Sequence, residues 1–324
     1  MTSIFVKPAN SLKAGLSYLR SSFTGNIYDP PMPLFLSAEL TNYCNLRCPE
    51  CLSGSGKMKR ERGFMDYNLY QRIISELSPY IYSLNLYFQG EPMMHPDFFS
   101  FLVKEGSYRI IVSTNGHFLT PENAVRIVQS DIDVLIVSLD GMDQKAYSAY
   151  RRKGELIKVI SGIKNVSLAK KRYSSRLRLV IQFLVNKQNE HQIRDVRKLA
   201  HDTGASLRLK SMQIIKSEDI ETWQPTLLKF RRYISRGGEY RLKNRLPNRC
   251  ARLWFNPVIT WDGLVVPCCF DKDAHYVMGD LKQDDFRTIW SSDRYKEFRR
   301  RIITDRNSVD ICRNCTSGLK GVHY

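Results

Sequence analysis

PLFLSAELTNYCNLRCPEC, residues 33–51, decides how the rest of the chain reads. It opens on a short apolar run, Leu34–Glu39, with the length and composition of a strand. It closes on Cys44-Asn45-Leu46-Arg47-Cys48-Pro49-Glu50-Cys51, three thiols at C-x3-C-x2-C spacing. Three thiolates this close on one loop must share a metal or repel one another. A structural zinc wants four nitrogen or sulfur ligands, and no fourth Cys or His stands nearby in the sequence. A four-iron cluster on three thiolates leaves one iron open to a reactant, which is a chemical reason for three ligands. The spacing also differs from the C-x2-C-x2-C run of bacterial ferredoxins.

Outward from this loop, strands and helices alternate. A helix is expected at Asp66–Leu77, a strand at Leu84–Phe88 and a helix from Pro96. Strand Arg109–Ser113 precedes a helix from Pro121. Strand Val134–Ser138 precedes helical pattern over Asp143–Lys171. Strand Leu177–Val185 precedes a helix from Glu190, and Ser206–Lys210 is the sixth strand. Six alternations without hairpin signals imply a parallel sheet, and strands rich in Leu, Ile and Val imply cover on both faces. Six units are too few for a closed eight-unit barrel. The expected fold class is therefore α/β: a partial (β/α)6 TIM-like barrel over 34–210, then a small C-terminal Cys-rich domain over 250–324. Residues 211–249 read as a basic connector with a helix at Leu227–Arg236 followed by Gly237-Gly238. Beyond Cys250, Val258–Thr260 and Leu264–Val266 read as a β-hairpin turning at Asp262-Gly263, with a helix holding Trp290, Tyr295 and Phe298 after it. In the N-terminal segment, 1–33, Leu12, Leu16, Leu19 and Phe23 mark a short amphipathic helix. Such a helix can rest on a membrane; more often it packs against its own domain, and that is the expectation here.

Composition sets limits. Of 324 residues, 43% are apolar and 25% charged, which excludes a disordered or collagen-like chain. A domain of this size buries about three quarters of its unfolded surface and needs no disulfide. No apolar run reaches the length of a membrane span, and residues 1–20 lack the pattern of a signal peptide. A secreted, disulfide-forming context is therefore not expected and a cytoplasmic one is; eight cysteines then point to metal binding or catalysis. The formal charge of +18 favours an anionic partner. Cations gather at Lys57, Lys59, Arg60 and Arg62, at Arg151, Arg152 and Lys153, and from Lys229 to Arg252. No nucleic-acid-binding motif accompanies them, so nucleic acid is not expected as a partner.

A C-x3-C-x2-C loop after the first strand of a β/α barrel resembles the signature of the radical S-adenosylmethionine (SAM) superfamily. Functional groups of parallel barrels gather at the C-terminal strand ends, and further segments stand there in order. Gln89-Gly90-Glu91-Pro92, after the second strand, resembles the family's Gly-Gly-Glu-Pro motif, with Gln89 in place of the first glycine. Ser113-Thr114-Asn115-Gly116 and Ser138-Leu139-Asp140-Gly141 resemble the segments that line the ribose and carboxylate of SAM. Singly, Asn-Gly and Asp-Gly are common turns; four motifs in one order at four successive strand ends carry the resemblance. It implies a 4Fe–4S cluster on Cys44, Cys48 and Cys51, whose open iron chelates SAM. It also implies that Gln89, Gly90, Glu91, Ser113, Asn115, Ser138 and Asp140 hold SAM. Before the third cysteine, where most members carry an aromatic residue, stands Glu50.

The remaining cysteines are Cys250, Cys268, Cys269, Cys312 and Cys315. Gly263-x4-Cys268 after Cys250, closed by Cys312-x2-Cys315, resembles the SPASM/twitch extension of the same superfamily. The resemblance implies a second, auxiliary 4Fe–4S cluster on Cys250, Cys268, Cys312 and Cys315, the spacing favouring Cys268 over Cys269. A four-Cys structural zinc is the alternative.

The implied activity is reductive cleavage of SAM to a 5′-deoxyadenosyl radical that takes a hydrogen atom from a substrate, with the auxiliary cluster accepting an electron. The expected partners are an external one-electron donor such as flavodoxin or ferredoxin and a small-molecule or peptide substrate. A small anionic metabolite, such as a phosphorylated or nucleotide-linked sugar, is preferred over a peptide or protein side chain. Two readings of other classes stand beside this oxidoreductase: a two-cluster electron carrier, which would not need the strand-end motifs, and a zinc- or cluster-bearing regulator that binds nucleic acid.

Overall fold

All six expected barrel strands form: β1 (Phe35–Ala38), β2 (Ser83–Asn85), β3 (Arg109–Thr114), β4 (Ile132–Ser138), β5 (Arg178–Val185) and β6 (Ser206–Ser211). The structure, a computed structural model, describes residues 5–315. The outermost parts of the expected terminal segments, 1–4 and 316–324, lie outside the described residues. Helices begin where a side chain accepts an otherwise orphaned amide. Asp66 accepts from Leu69 N, Thr120 from Asn123 N, and Asp143 from Ala146 N, with Pro121 in the first turn after Thr120.

The described chain falls into two compact units. The first holds the chain up to Tyr43, Lys59–Ile110 and the part from Leu246 onward; the second holds Cys44–Met58 and Ile111–Arg245. In the first, the C-terminal hairpin is β9 (Val258–Ile259) and β10 (Leu264–Val266), with β11 (Gly279–Asp280) beside it, in the order β11-β10-β9-β1-β2. β1 runs parallel to β2 in register Phe35↔Ser83, and parallel to β9 in register Ser37↔Val258. The hairpin thus continues the sheet that β1 and β2 begin. In the second unit the order is β3-β4-β5-β6, with Val134↔Arg178 and Val180↔Ser206 in parallel register.

Four expectations are corrected. No α-helix starts at Pro96; two 3-10 turns, Pro92–Met94 and Phe98–Leu102, stand in its place. His95 is extended, as the residue before a proline tends to be. The helix expected over Asp143–Lys171 is two, Gln144–Tyr150 and Leu156–Arg172. They part where Lys153 takes φ +66° and where a Cβ on Gly154 would meet the Arg151 carbonyl at 2.7 Å. Leu227–Arg236 is not helical: β7 (Tyr233–Arg236) and β8 (Glu239–Leu242) form a hairpin. Gly237 and Gly238, at φ 57° and 80°, supply the two left-handed residues that a tight hairpin turn needs. The N-terminal helix α1 (Val6–Thr24) exists, but it packs on Asn10, Ala14, Ser17 and Ser21 and leaves the leucine row outside.

One buried ion pair braces β1. Arg60 Nη1 and Nη2 each donate at 2.8 Å to the two carboxylate oxygens of Glu39, and Trp261 N donates to the same carboxylate at 3.2 Å. Arg60, counted in the sequence among partner-facing cations, is a structural counter-charge with a side chain only 7% exposed. Arg60→Ala should cost about 3–5 kcal/mol, because it strands a buried carboxylate. The check is the denaturant midpoint; an unchanged midpoint would show that Glu39 finds another partner.

Candidate functional site

In the second unit the loop Cys44–Cys51 follows β1 and is shaped by contacts with several other segments of that unit. Arg47 N donates to the Arg152 carbonyl at 2.9 Å. Cys48 is buried among Leu46, Tyr150 and Trp223. Burial pushes its thiol up to about 11, opposed by the nearby Arg151 guanidinium. A Cβ on Gly54 would lie 2.7 Å from Cys48 N, so the backbone closes over itself only with glycine there. Arg151 Nε donates to Asp140 at 2.6 Å, and the other Asp140 oxygen accepts Leu184 N at 2.7 Å. Arg151, counted in the sequence among the gathered cations, is a half-buried charge that joins the β4 end to the cysteine loop. Asn115 Nδ2 donates to Asn45 Oδ1 at 2.7 Å and lies 4.0 Å from Cys44 Sγ.

Asn115 Oδ1 also accepts from His117 N and Nδ1, while His117 Nε2 accepts Glu155 N at 2.9 Å. That pattern fits a neutral imidazole, and burial lowers its pKa. Ser138 is buried at the end of β4, and Ser113 is half-buried near the end of β3. Glu50 is buried and accepts Ile215 N at 2.5 Å, tying the loop to the segment after β6; burial raises its carboxyl pKa. The structure therefore groups Cys44, Cys48, Asn115 and Asp140, and adds Arg151. The sequence signal for Arg151 was Asp140 itself, a buried acid that needs a counter-charge.

The Gln89–Pro92 segment belongs to the first unit. Gly90 has φ +75°, and a Cβ there would meet Thr41 O at 2.4 Å and Tyr43 O at 2.7 Å, both backbone atoms. Glu91 N donates to Tyr43 O at 2.7 Å. The segment is thus pressed against the three residues that lead into Cys44. Glu91 is buried, with Oε1 accepting Met93 N at 3.1 Å, and Gln89 Nε2 donates to the Phe88 carbonyl at 3.2 Å.

The second cysteine set also lies in the first unit. Cys268, Cys312 and Cys315 are buried; Cys250 and Cys269 are half-buried. Burial raises the Cys268 thiol pKa, as do neighbouring Cys269, Cys250 and Cys315. Burial pushes Cys312 up to about 12, with Cys315 and Cys250 adding to the rise and Arg306 opposing it. Cys268 thus lies within electrostatic reach of Cys269, Cys250 and Cys315, and Cys312 of Cys315 and Cys250. Arg252 Nη1 stands 3.5 Å from Cys269 Sγ and Arg306 Nη2 stands 3.4 Å from Cys315 Sγ.

Both sets fit a cluster. Each of the eight cysteines is a free thiol. The buried Tyr147 and Tyr295 hydroxyls have no hydrogen-bond partner among the described residues. Cys48 and Cys44 act electrostatically on Tyr147, and Cys268 and Cys250 on Tyr295. An orphaned donor beside thiols suits an added sulfur acceptor. Among the described residues no three His, Cys, Asp or Glu side chains converge as the ligands of one ion do. A cluster asks less of them, since each thiolate takes a different iron.

Residues 38–200 match the radical SAM superfamily, and residues 250–316 match SPASM, an iron–sulfur cluster-binding domain. The chain belongs to the radical SAM superfamily. The fold is its α/β partial barrel with a small C-terminal SPASM domain. Mycofactocin maturase MftC of Mycobacterium ulcerans is 33% identical over 184 residues, 56% of this chain and 48% of that protein. The chain thus aligns with about half the length of that relative. The SAM-dependent 2-deoxy-scyllo-inosamine dehydrogenase of Niallia circulans is 23% identical over 289 residues, 87% of this chain and 92% of that one. Streptococcus suis SuiB bound to precursor peptide SuiA shares the fold at a TM-score of 0.61 and 16% identity, covering 90% of this chain and 72% of that one.

For this radical SAM chain, Glu91→Ala should weaken SAM binding and leave the iron content unchanged. The loss of a charge-assisted hydrogen bond is worth about 1.5–3 kcal/mol, tenfold or more in affinity. Unchanged affinity, measured by anaerobic calorimetry, would show that Gln89–Pro92 is only a turn.

Proposed function

We propose that this radical SAM enzyme oxidises a small, hydroxylated, anionic substrate by two electrons. The carrying observation is the second cysteine set: thiols for every iron of a cluster, with the Arg306 guanidinium on the Cys315 sulfur and Arg252 on that of the fifth cysteine, Cys269. When bound, the groups would supply a 5′-deoxyadenosyl radical to take a hydrogen atom from a substrate C–H and a second cluster to receive one electron, the substrate hydroxyl releasing its proton to solvent. Cys44, Cys48 and Cys51 hold the first cluster; Gln89, Gly90, Glu91, Ser113, Asn115, Ser138 and Asp140 hold SAM, with Asp140 acting through Arg151. Cys250, Cys268, Cys312 and Cys315 hold the auxiliary cluster. Donors and positive charge beside a cluster favour its reduced form; Arg306 provides both, and Arg252 adds its charge close to Cys268, Cys250 and Cys315. Near-complete likeness in length to a SAM-dependent dehydrogenase supports oxidation over reduction.

Exposed Lys229, Arg236 and Arg245, in the same unit as the Cys44 loop, suit an anionic substrate. A phosphorylated or nucleotide-linked sugar has that chemistry. A peptide substrate is the second reading, favoured by the fold shared with SuiB in its precursor-peptide complex.

The test is anaerobic turnover with a flavodoxin or ferredoxin donor and a panel of free sugars, phosphorylated sugars, nucleotide sugars and peptides. A phosphorylated or nucleotide-linked sugar should raise 5′-deoxyadenosine formation and give a product lacking two hydrogens. Stimulation by peptides alone would overturn the substrate class. Cys269→Ala should keep that product. Product loss with both clusters and SAM cleavage intact would instead make Cys269 a hydrogen donor, and the net reaction would not be an oxidation.

A further inference from the structure

The polar face of α1 is the face that packs. Asn10 Nδ2 donates to the Met32 carbonyl at 2.8 Å, Trp254 Nε1 donates to Ser17 Oγ at 3.0 Å, and Tyr28 N donates to Ser21 Oγ at 3.0 Å. Lys7 Nζ donates to the Ser107 carbonyl at 2.7 Å. These bonds satisfy buried polar groups and fix the rotation of the helix about its axis. The opposite face is what they leave outside. Leu12 is 66% exposed, Leu16 50%, Leu19 50% and Phe23 82%. At about 100° per residue the four fall within about 60° of one another. Phe5, directly before the helix, is 75% exposed and falls on the same line. Single exposed leucines need no explanation, but an aligned row of large apolar side chains does.

The charge of this segment says what covers the row. Residues 5–28 contain Lys7, Lys13 and Arg20 and not one Asp or Glu. Lys13 and Arg20 are exposed, and at helical spacing both fall on one flank of the apolar row. Long cationic side chains there can lay their stems along an apolar boundary and keep their charges in the polar layer. An apolar row edged by cations, with acids excluded, is the composition of helices that lie in the headgroup layer. A neutral protein groove would not demand the exclusion of acids; an anionic surface does.

We propose that α1 is an interfacial helix that seats the protein on an anionic lipid bilayer. Leu12, Leu16, Leu19 and Phe23 enter the boundary of the acyl chains, and Lys13 and Arg20 meet the headgroup phosphates. Among the described residues no helix is long and apolar enough to cross a membrane, so the contact through α1 is peripheral.

The test is sedimentation of the full-length holoenzyme with vesicles of phosphatidylcholine alone and of phosphatidylcholine with phosphatidylglycerol. The protein should sediment with the anionic vesicles, and added salt should weaken the association. Leu16→Glu with Leu19→Glu should cut binding by at least about tenfold, since leaving even one leucine in water costs roughly that factor. Its helix content and thermal midpoint should match the parent. Lys13→Glu with Arg20→Glu should weaken binding to the anionic vesicles. The proposal is overturned if the parent protein ignores anionic vesicles at low salt, or if the leucine variant binds as the parent does. It is also overturned if, without lipid, the parent is a dimer and the leucine variant a monomer, which would make the row a self-association face.

Discussion

A buried guanidinium is costly unless negative charge lies against it, and this chain places such groups beside cysteine sulfur. Arg151 neighbours Cys48, Arg306 lies on Cys315, and half-buried Arg252 lies on Cys269. As thiols the sulfurs are neutral, and burial pushes Cys48 up to about 11 and Cys312 up to about 12. As ligands of iron, Cys48 and Cys315 are thiolates, whose negative charge the neighbouring guanidinium groups offset. The same completion answers the orphaned Tyr147 and Tyr295 hydroxyls, one beside each set.

The scaffold serves that arrangement from the backbone outward. β1 leads into the first cysteine loop, and it is fixed by Glu39 on Arg60 and by its parallel pairing with β9 of the C-terminal hairpin. The segment that carries the second cysteine set is thus part of the support for the strand that delivers the first. Residues 41–43 then receive Gly90 and Glu91 so closely that a single methyl group at position 90 would strike backbone. Specificity of shape at this point comes from an absent side chain, and from a positive φ that glycine alone adopts freely.

The strands, the three segments at the ends of β2, β3 and β4, and the two cysteine sets were legible because each rests on local chemistry: apolar runs, turn residues and thiol spacing. Arg60 and Arg151 were not, since counting charge along a sequence cannot tell a surface cation from a buried counter-ion. β7 and β8 were hidden behind apolar spacing that resembled a helix, although Gly237-Gly238 carried the hairpin signal. α1 shows a different limit. The period of Leu12, Leu16, Leu19 and Phe23 marks a face, but which face packs was decided by Asn10, Ser17 and Ser21, through hydrogen bonds to residues far along the chain. Gly154 interrupted a helix that periodicity alone would have continued, and Pro96, expected to open a helix, stands between two 3-10 turns.

Paramagnetic resonance of the reduced, anaerobically reconstituted chain, recorded with and without SAM, tests the central claim most directly. Two cluster signals are expected, of which SAM alters one; Cys44→Ala with Cys48→Ala and Cys51→Ala should abolish that one and spare the other. A spectrum that ignores SAM, or a SAM-responsive signal that survives the triple replacement, would contradict the assignment of the two cysteine sets.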